Sequence, residues 1–567
     1  MTNTGTTTTG TTTTGSRFEP PGPGRWERDI SHTTAAPTRV LRRLATTTMP
    51  DAYREVFAEF GGPLDTLDIR FVHGAMYRRI VPLVAADSDR PPPPRPVMWL
   101  LLRLHPAFRQ RERAARKMWA ERPDHRVVAE WHARERHEWI ARNRALQAIR
   151  PDTLTDTELA DHVDRLDEHL VAGWRRHHVL HGSDVGPIGD LLVHGHRWGL
   201  TTDELLRLLD GASPATSSAT SVAERIAAEL RRAGVDPAGV RDLDTVRSVP
   251  GAAAVLDEHL EHAGWHIVTS YDIEARTVGE LPAALCALIR GGSNGHRAGD
   301  EAPATRLRAA LRERVPERER TTFDDLVERA RAAYGMRDDN GPLTAEWPAG
   351  LLRRAFLESA PRLHATGRLH ALEHVFELDS PELAALLRNA PAPSADDLAA
   401  RAATRRAEAE LDPPDALGPD HPDPDPSVFP PGIRRTMEIV ITALSLLEVD
   451  PRAERAPLSG TGIGDRVHRG TARVVSDPDR LDDLVAAMEP GDVLVAPWTA
   501  PTFNAVFAIA GAVVVREGGP LCHAAVMARE LGIPTVIGCR EALDAIADGD
   551  TVDVDPLAGE VRVVAAS

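Results

Sequence analysis

The sequence predicts a multidomain chain: a mainly α-helical region over residues 25–411, a Pro/Asp-rich linker with a short helix over 412–458, and a small α/β domain over 459–567. Three observations predict it. The chain's 567 residues exceed what a single hydrophobic core organises. Apolar residues recur at helical spacing through the first region. After Gly460 the pattern changes to brief β-branched runs separated by Gly, Asp and Pro.

Residues 1–24 are low-complexity Thr, Gly and Pro, offer little to bury, and are expected to be disordered. In the helical region Thr155 and Glu158 form a capping-box pair. Leu159, Val163, Leu166, Leu170 and Trp174 follow at spacings of three and four, which is one face of a helix. Leu351, Leu352, Ala355, Phe356 and Leu363 make a second such stripe. Breaks are expected at Pro91–Pro96 and Ser213–Ser221, where Pro, Ser, Thr and Gly interrupt the periodicity. Asp412–Pro431 should behave as a stiff, solvated tether, followed by a short helix over Ile433–Leu447. Beyond it, Ala472–Val475, Val493–Ala496, Ala512–Val515, Thr535–Ile537 and Val552–Val554 predict short strands.

Composition prunes function. A net charge of −17 opposes binding to nucleic acid or to an anionic membrane surface. Basic charge is almost all arginine, and the one lysine, Lys117, stands in a charged helical run. A Walker-type phosphate loop, which needs Gly-Lys-Ser/Thr, is therefore absent. Cys286, Cys522 and Cys539 are too scattered for a disulfide framework or a thiolate zinc site, and they suit a reducing compartment. The Thr/Gly start lacks the order of a signal peptide, and the longest apolar stretches, Val97–Leu104 and Ile439–Val449, fall short of the ~20 residues of a membrane span. A cytoplasmic protein is expected.

The segment with most chemical content is Gly518-Gly519-Pro520-Leu521-Cys522-His523-Ala524-Ala525, continuing to Arg529-Glu530-Leu531-Gly532-Ile533-Pro534. It reads as a strand, a tight Gly-Gly turn and a helix that begins near His523 and is stopped by Gly532 and Pro534. An imidazole at a helix N-terminus is a nucleophile near neutral pH, beside unpaired backbone N–H groups that suit phosphoryl oxygens. Arg529, six residues on, is placed to reach an anion or to fix the helix by a salt bridge. The alternative is that His523 only caps a helix and Cys522 is a small core residue.

This run resembles the phosphohistidine signature of the PEP-utilising enzyme family, to which PEP synthase, pyruvate phosphate dikinase and rifampin phosphotransferase belong. The pattern is Gly-Gly, two residues, Ser/Cys-His-Ala-Ala, then Ala-Arg-Glu-Leu-Gly-Ile-Pro. The resemblance extends upstream through Gly491-Asp492-Val493-Leu494-Val495-Ala496-Pro497, Thr499 and Pro501, and covers residues 459–566. It implies a phosphohistidine swivelling domain in which His523 is phosphorylated while Gly518, Gly519, Cys522 and Arg529 shape its loop. Leu521 departs from the threonine common in PEP synthase and pyruvate phosphate dikinase. A looser resemblance over Trp26–Pro37, Asp190–Ala215, Gly264–Arg290 and Leu351–Leu386 implies that the helical region binds substrate, as in rifampin phosphotransferase-like proteins.

Family dikinases also have an ATP-grasp domain, for which this sequence has no motif. The resemblance therefore implies a dikinase-type phosphotransferase component that carries a phosphoryl group to a small organic acceptor. A separate ATP-grasp subunit would charge it, with ATP and Mg held on that partner. Two alternatives stand beside it: an enzyme that uses the phosphate only to activate a hydroxyl for dehydration or ligation, and a degenerate paralogue that no longer carries phosphate.

Other polar residues are weighed against packing roles. His169, His177, His178, His181, His194 and His196 cluster in sequence, but no His-Glu-x-x-His occurs and no metal is expected; a solvated helix face is the default. His259 and His262 are equally ambiguous. Asp29, His32, His73 and Tyr77 lie in segments resembling the substrate region, with helix packing and capping as their ordinary role. Trp174, Trp198 and Trp265 read as core aromatics.

Overall fold

A computed structural model describes residues 17–29, 36–84, 86, 93–212, 214–268, 270–291, 301–420, 425–446, 456–475, 481–499, 503–507 and 509–564. The described residues are mostly helical, with two sheets. They fall into two compact units, each discontinuous in sequence. The first comprises residues 1–183, 270–275 and 340–438, and the second 184–269, 276–339 and 439–567. The region 25–411 thus contributes to both.

In the first unit the predicted stripes are helices. Leu159, Val163, Leu166, Leu170 and Trp174 are all buried along the helix Asp156–Arg197. The amide of Thr155 donates to Glu158 Oε2 at 2.9 Å and that of Glu158 to Thr155 Oγ1 at 3.4 Å, which is the reciprocal pairing of a capping box. Leu351, Leu352, Ala355, Phe356 and Leu363 are buried in the helix Trp347–Ala365.

A four-stranded antiparallel sheet interrupts the expected helical region. Its strands are β1 (Trp26–Arg28), β2 (Leu64–Val72), β3 (Ala75–Pro82) and β4 (Ala416–Leu417), in the order β2-β3-β1-β4. His73 and Gly74 join β2 to β3 with φ of 46° and 79°, the left-handed pair of a two-residue hairpin turn. His73 and Tyr77 are therefore hairpin residues, not helix-packing or capping ones. Asp29 is buried just after β1, its backbone N–H donating to the Met76 carbonyl at 2.9 Å. His32 and Pro501 lie outside the described residues.

The sheet and the helices around it correct three further expectations. Residues 1–16 lie outside the described residues, but Phe18, within the stretch expected to be disordered, is fully buried with Trp26, Tyr77 and Leu417. The 412–431 stretch is not a solvated tether where it is described. Ala416–Leu417 pairs with β1, the Tyr77 hydroxyl donates to the Pro414 carbonyl at 2.7 Å, and Val428 and Phe429 pack with Leu102, Phe108 and Ala115. Proline forfeits an amide but keeps a carbonyl acceptor, so a Pro-rich strand suits a sheet edge. The histidines also differ: His177 and His178 are buried, not solvated, because their face of the helix Asp156–Arg197 packs on Tyr53 and Tyr271.

In the second unit, the helix Pro214–Arg232 begins within the break expected at 213–221 and covers the rest of it, while Ser213 lies outside the described residues. Ser and Thr cost a helix only a few tenths of a kcal/mol each. The C-terminal sheet has seven strands: β5 (Thr461–Ile463), β6 (His468–Val474), β7 (Val493–Ala496), β8 (Ala512–Val515), β9 (Thr535–Ile537), β10 (Thr551–Asp555) and β11 (Glu560–Val564), ordered β11-β10-β6-β7-β8-β9-β5. The β6-β7-β8-β9 core is parallel and the flanks are antiparallel.

Alternation along β7 and β8 explains their unbroken apolar runs. Val493, Val495, Ala512 and Val514 enter one core with Val536, Val552 and Val554, while Leu494, Ala496, Val513 and Val515 enter another with Phe503, Phe507, Ala525 and Met527. The helix Pro282–Gly291 adds Ala287 to the second core, and the Ala284 amide donates to Asp482 Oδ1 at 3.0 Å.

Candidate functional site

Parallel pairing of β7 with β8 sets their C-terminal ends side by side, so the loops leaving them, 497–499 and 516–522, share one edge of the sheet. That edge of a parallel sheet is where α/β folds place ligands. His523 is the first residue of the helix His523–Leu531, capped at its far end by Gly532 at φ 64°. Thr499 Oγ1 lies 2.9 Å from His523 Nδ1, and the Phe507 ring meets the imidazole edge-on at 5.8 Å between centroids. Burial lowers the imidazole pKa from 6.5 to about 3, so the ring is neutral at physiological pH.

The loop residues expected to shape this site have separate tasks. Gly518 has a φ of 105°, and a Cβ there would stand 2.7 Å from Cys522 Sγ, so a side chain is excluded by conformation and by space. Gly519 is buried and its carbonyl accepts from the Cys522 amide at 2.9 Å, closing the turn. Burial pushes the Cys522 thiol up, which keeps it protonated and a poor nucleophile. Arg529 does not reach back to His523. Its guanidinium donates to the Pro520 carbonyl at 2.8 Å and its Nε lies 3.8 Å from Asp210 Oδ1, tying the loop to the second turn of the helix and to the neighbouring helical segment.

Two features lay beyond the sequence reading. Thr499 was visible only as part of a family resemblance, and its contact with an imidazole 24 residues away depends on strand register. Leu521, noted as a departure from threonine, is buried against Leu206, Leu209 and Tyr334, and its amide donates to the Leu446 carbonyl at 2.7 Å. An apolar side chain docks the loop on the helices of this unit where a hydroxyl would be buried. Beside it, Glu530 is raised to about 7 by burial and by Asp338 and Asp210, and Asp210 to about 6 by burial.

Among the described residues, no group of three or more His, Cys, Asp or Glu side chains is placed to hold a metal ion, and no helix is long and apolar enough to cross a membrane.

Comparison with known proteins bears on the same residues. The family described as "PEP-utilising enzyme, mobile domain" matches residues 488–559. The phosphoenolpyruvate synthases of Pseudomonas aeruginosa and Escherichia coli are 41% identical over 107 residues and 40% identical over 105 residues. These alignments cover 19% and 18% of this chain and 13% of each relative. An uncharacterized phosphotransferase of Bacillus subtilis, YvkC, is 36% identical over 108 residues, 19% of this chain and 12% of that protein. The chain thus spans about an eighth of the length of the curated relatives it matches. The match encloses Gly518, Gly519, Cys522, His523 and Arg529, so residues 488–559 of this chain are similar to the PEP-utilising enzyme mobile domain.

Proposed function

We propose that this chain is a phosphotransferase component of the dikinase type, which carries a phosphoryl group on His523 and passes it to a small organic acceptor bound by its helical region. The observation that carries the reading is the Thr499 to His523 contact at the edge of the parallel sheet. With Nδ1–H donating to Thr499 Oγ1, Nε2 holds the ring's lone pair and is the nucleophile. Burial favours the neutral ring, and the first turn of the helix presents backbone N–H groups to the phosphoryl oxygens.

The phosphoryl group comes from ATP, with Mg, on a separate ATP-grasp subunit. Support comes from Lys117, the chain's one lysine, which is exposed beside Glu121 at 3.8 Å on the helix Pro106–Glu121 and so is not part of a phosphate cradle. Gly518, Gly519, Cys522 and Arg529 hold the loop. Delivery requires the loop to leave the helices on which Leu521 is docked, so that contact breaks and reforms in each cycle.

The test uses the full chain, ATP labelled at the β or γ position, and candidate ATP-grasp proteins. An acid-labile label is expected on wild type and absent from His523→Ala. A wild-type chain that takes no label from any active partner refutes the proposal.

A further inference from the structure

The helix Arg95–Leu104 is apolar on nearly every side: seven of its ten residues are Val97, Met98, Trp99 and four leucines. A helix of that composition is ordinarily buried all round. Here the chain covers one side only. Leu102 is buried, and Met98 and Leu101 pack beside it in a cluster with Phe108, Val428 and Phe429. Val97, Trp99, Leu100 and Leu104 are between 49% and 63% exposed. Val97, Leu100 and Leu104 stand three and four residues apart, so they form one outward stripe, an apolar surface of the kind that marks an interaction site. Trp99 beside it is held by Arg103, whose guanidinium lies 4.0 Å from the ring centroid and donates to the Val428 carbonyl at 2.9 Å.

The next helix, Pro106–Glu121, adds charge of one sign. His105 ends the first helix and caps the second, and Phe108 and Ala115 enter the cluster that holds Leu102, so both helices turn their free faces away from one core. Arg109, Arg113, Arg116 and Lys117 are exposed on it, and no carboxylate is exposed before Glu121 in its last turn. Arg116 pairs with Glu112 and Lys117 lies near Glu121, whereas among the described residues the guanidinium groups of Arg109 and Arg113 have no partner. Residues 95–150 hold fourteen Arg and Lys against six Asp and Glu, in a chain whose net charge is −17. Basic charge is thus concentrated beside the exposed apolar stripe.

We infer that these two helices form a docking face for an anionic lipid surface: Val97, Trp99, Leu100 and Leu104 enter the boundary between headgroups and acyl chains, and Arg109 and Arg113 meet headgroup phosphates. The inference is independent of the role proposed for His523. Nucleic acid offers phosphates but nothing apolar to cover the stripe. A second copy related by a twofold axis would set the cationic face against itself. An acidic protein would need a groove matched to a convex helix, whereas a fluid lipid surface needs no such match. A bilayer presents anionic groups above apolar chains, which is the order these side chains require. At ten residues, about 15 Å, the helix lies on that surface and does not span it. Acidic charge elsewhere on the chain is screened beyond about 10 Å at physiological salt, so the net −17 restricts approach to the orientation that leads with this face.

The test uses the full-length chain and two kinds of vesicle, phosphatidylcholine alone and phosphatidylcholine with about one-third phosphatidylglycerol. In cosedimentation, wild type is expected to bind the anionic vesicles at least tenfold more tightly than the neutral ones and to be released as salt is raised. An arginine near such a surface is worth about fivefold in affinity, so Arg109→Gln combined with Arg113→Gln is expected to weaken binding roughly twentyfold. Leu100→Ser combined with Leu104→Ser, at exposed positions where folding loses little, is expected to weaken it at least tenfold, with thermal unfolding unchanged. Lipids brominated on their acyl chains are expected to quench Trp99, read as quenching that Trp99→Phe loses. Failure of wild type to bind the anionic vesicles, unchanged binding by either double variant, or equal quenching in wild type and Trp99→Phe overturns the inference. Tighter binding to polyglutamate or duplex DNA than to the anionic vesicles also overturns it, and assigns the face to a protein or nucleic-acid partner. A dimer in sedimentation velocity that the leucine changes dissolve, with vesicles left unbound, assigns it to a second copy instead.

Discussion

The pKa of His523 is the property most directly tied to its surroundings. Burial of the ring, against Phe507 and beside Thr499, lowers it from 6.5 to about 3. At pH 5.5 an ordinary imidazole is about 90% protonated, whereas this one is under ~1%. Native His523 thus stays neutral between pH 7 and 5 while the unfolded chain takes up a proton there. The unfolded state binds more protons, so stability falls as pH falls through that window, by at most about 2 kcal/mol at pH 5 for this residue. The assay is NMR of ring-labelled histidine, with His523→Gln identifying the resonance. Its signal is expected to stay unchanged from pH 8 to 5. Unfolding measured at pH 7 and 5 should show wild type losing more stability than the variant over the same range. A titration midpoint between 6 and 7, or an identical pH dependence in the two proteins, refutes the burial argument.

Three further outcomes follow from the same neighbourhood. Thr499→Val removes the partner of Nδ1 and is expected to slow labelling of His523 by roughly threefold to tenfold, the equivalent of one ordinary hydrogen bond, measured as initial rate of acid-labile label. Leu521→Ala should cost about 2–4 kcal/mol and increase amide exchange in the 518–531 segment, since the side chain is only 7% exposed among Leu206, Leu209 and Tyr334. Glu530, raised to about 7, binds its proton more tightly in the native state than when unfolded, so its contribution is lost as pH rises from about 4.5 through 7. Glu530→Gln is therefore expected to gain stability relative to wild type at pH 8 over pH 5, by roughly 1–3 kcal/mol, in denaturant unfolding followed by amide exchange of the same segment.

Much of the C-terminal domain was legible because its signals are local. Strands β7 and β8 announce themselves as short β-branched runs, and they are unbroken because both faces are buried. Gly518 and Gly532 mark backbone conformations that other residues resist, so the turn and the helix stop beside His523 could be read in order. The first region was less legible. Two helical stripes were clear, but the hairpin around His73 and Gly74 was missed, although Leu67, Ile69 and Phe71 alternate before a left-handed pair. Pro413 to Leu417 was mistaken for solvated chain because a proline-rich edge strand and a tether share a composition.

The sequence by itself determined that an imidazole begins a helix after a glycine turn, because caps and turns are set by residues within a few positions of one another. Only the tertiary structure decided that Thr499 faces that imidazole, that Leu521 and Glu530 bury themselves against Tyr334, and that Leu102 rather than Leu100 or Leu104 turns inward to Val428 and Phe429. Those pairings join segments distant in sequence. Strand register and the burial of one helix face fix them, and both depend on packing that no local pattern encodes.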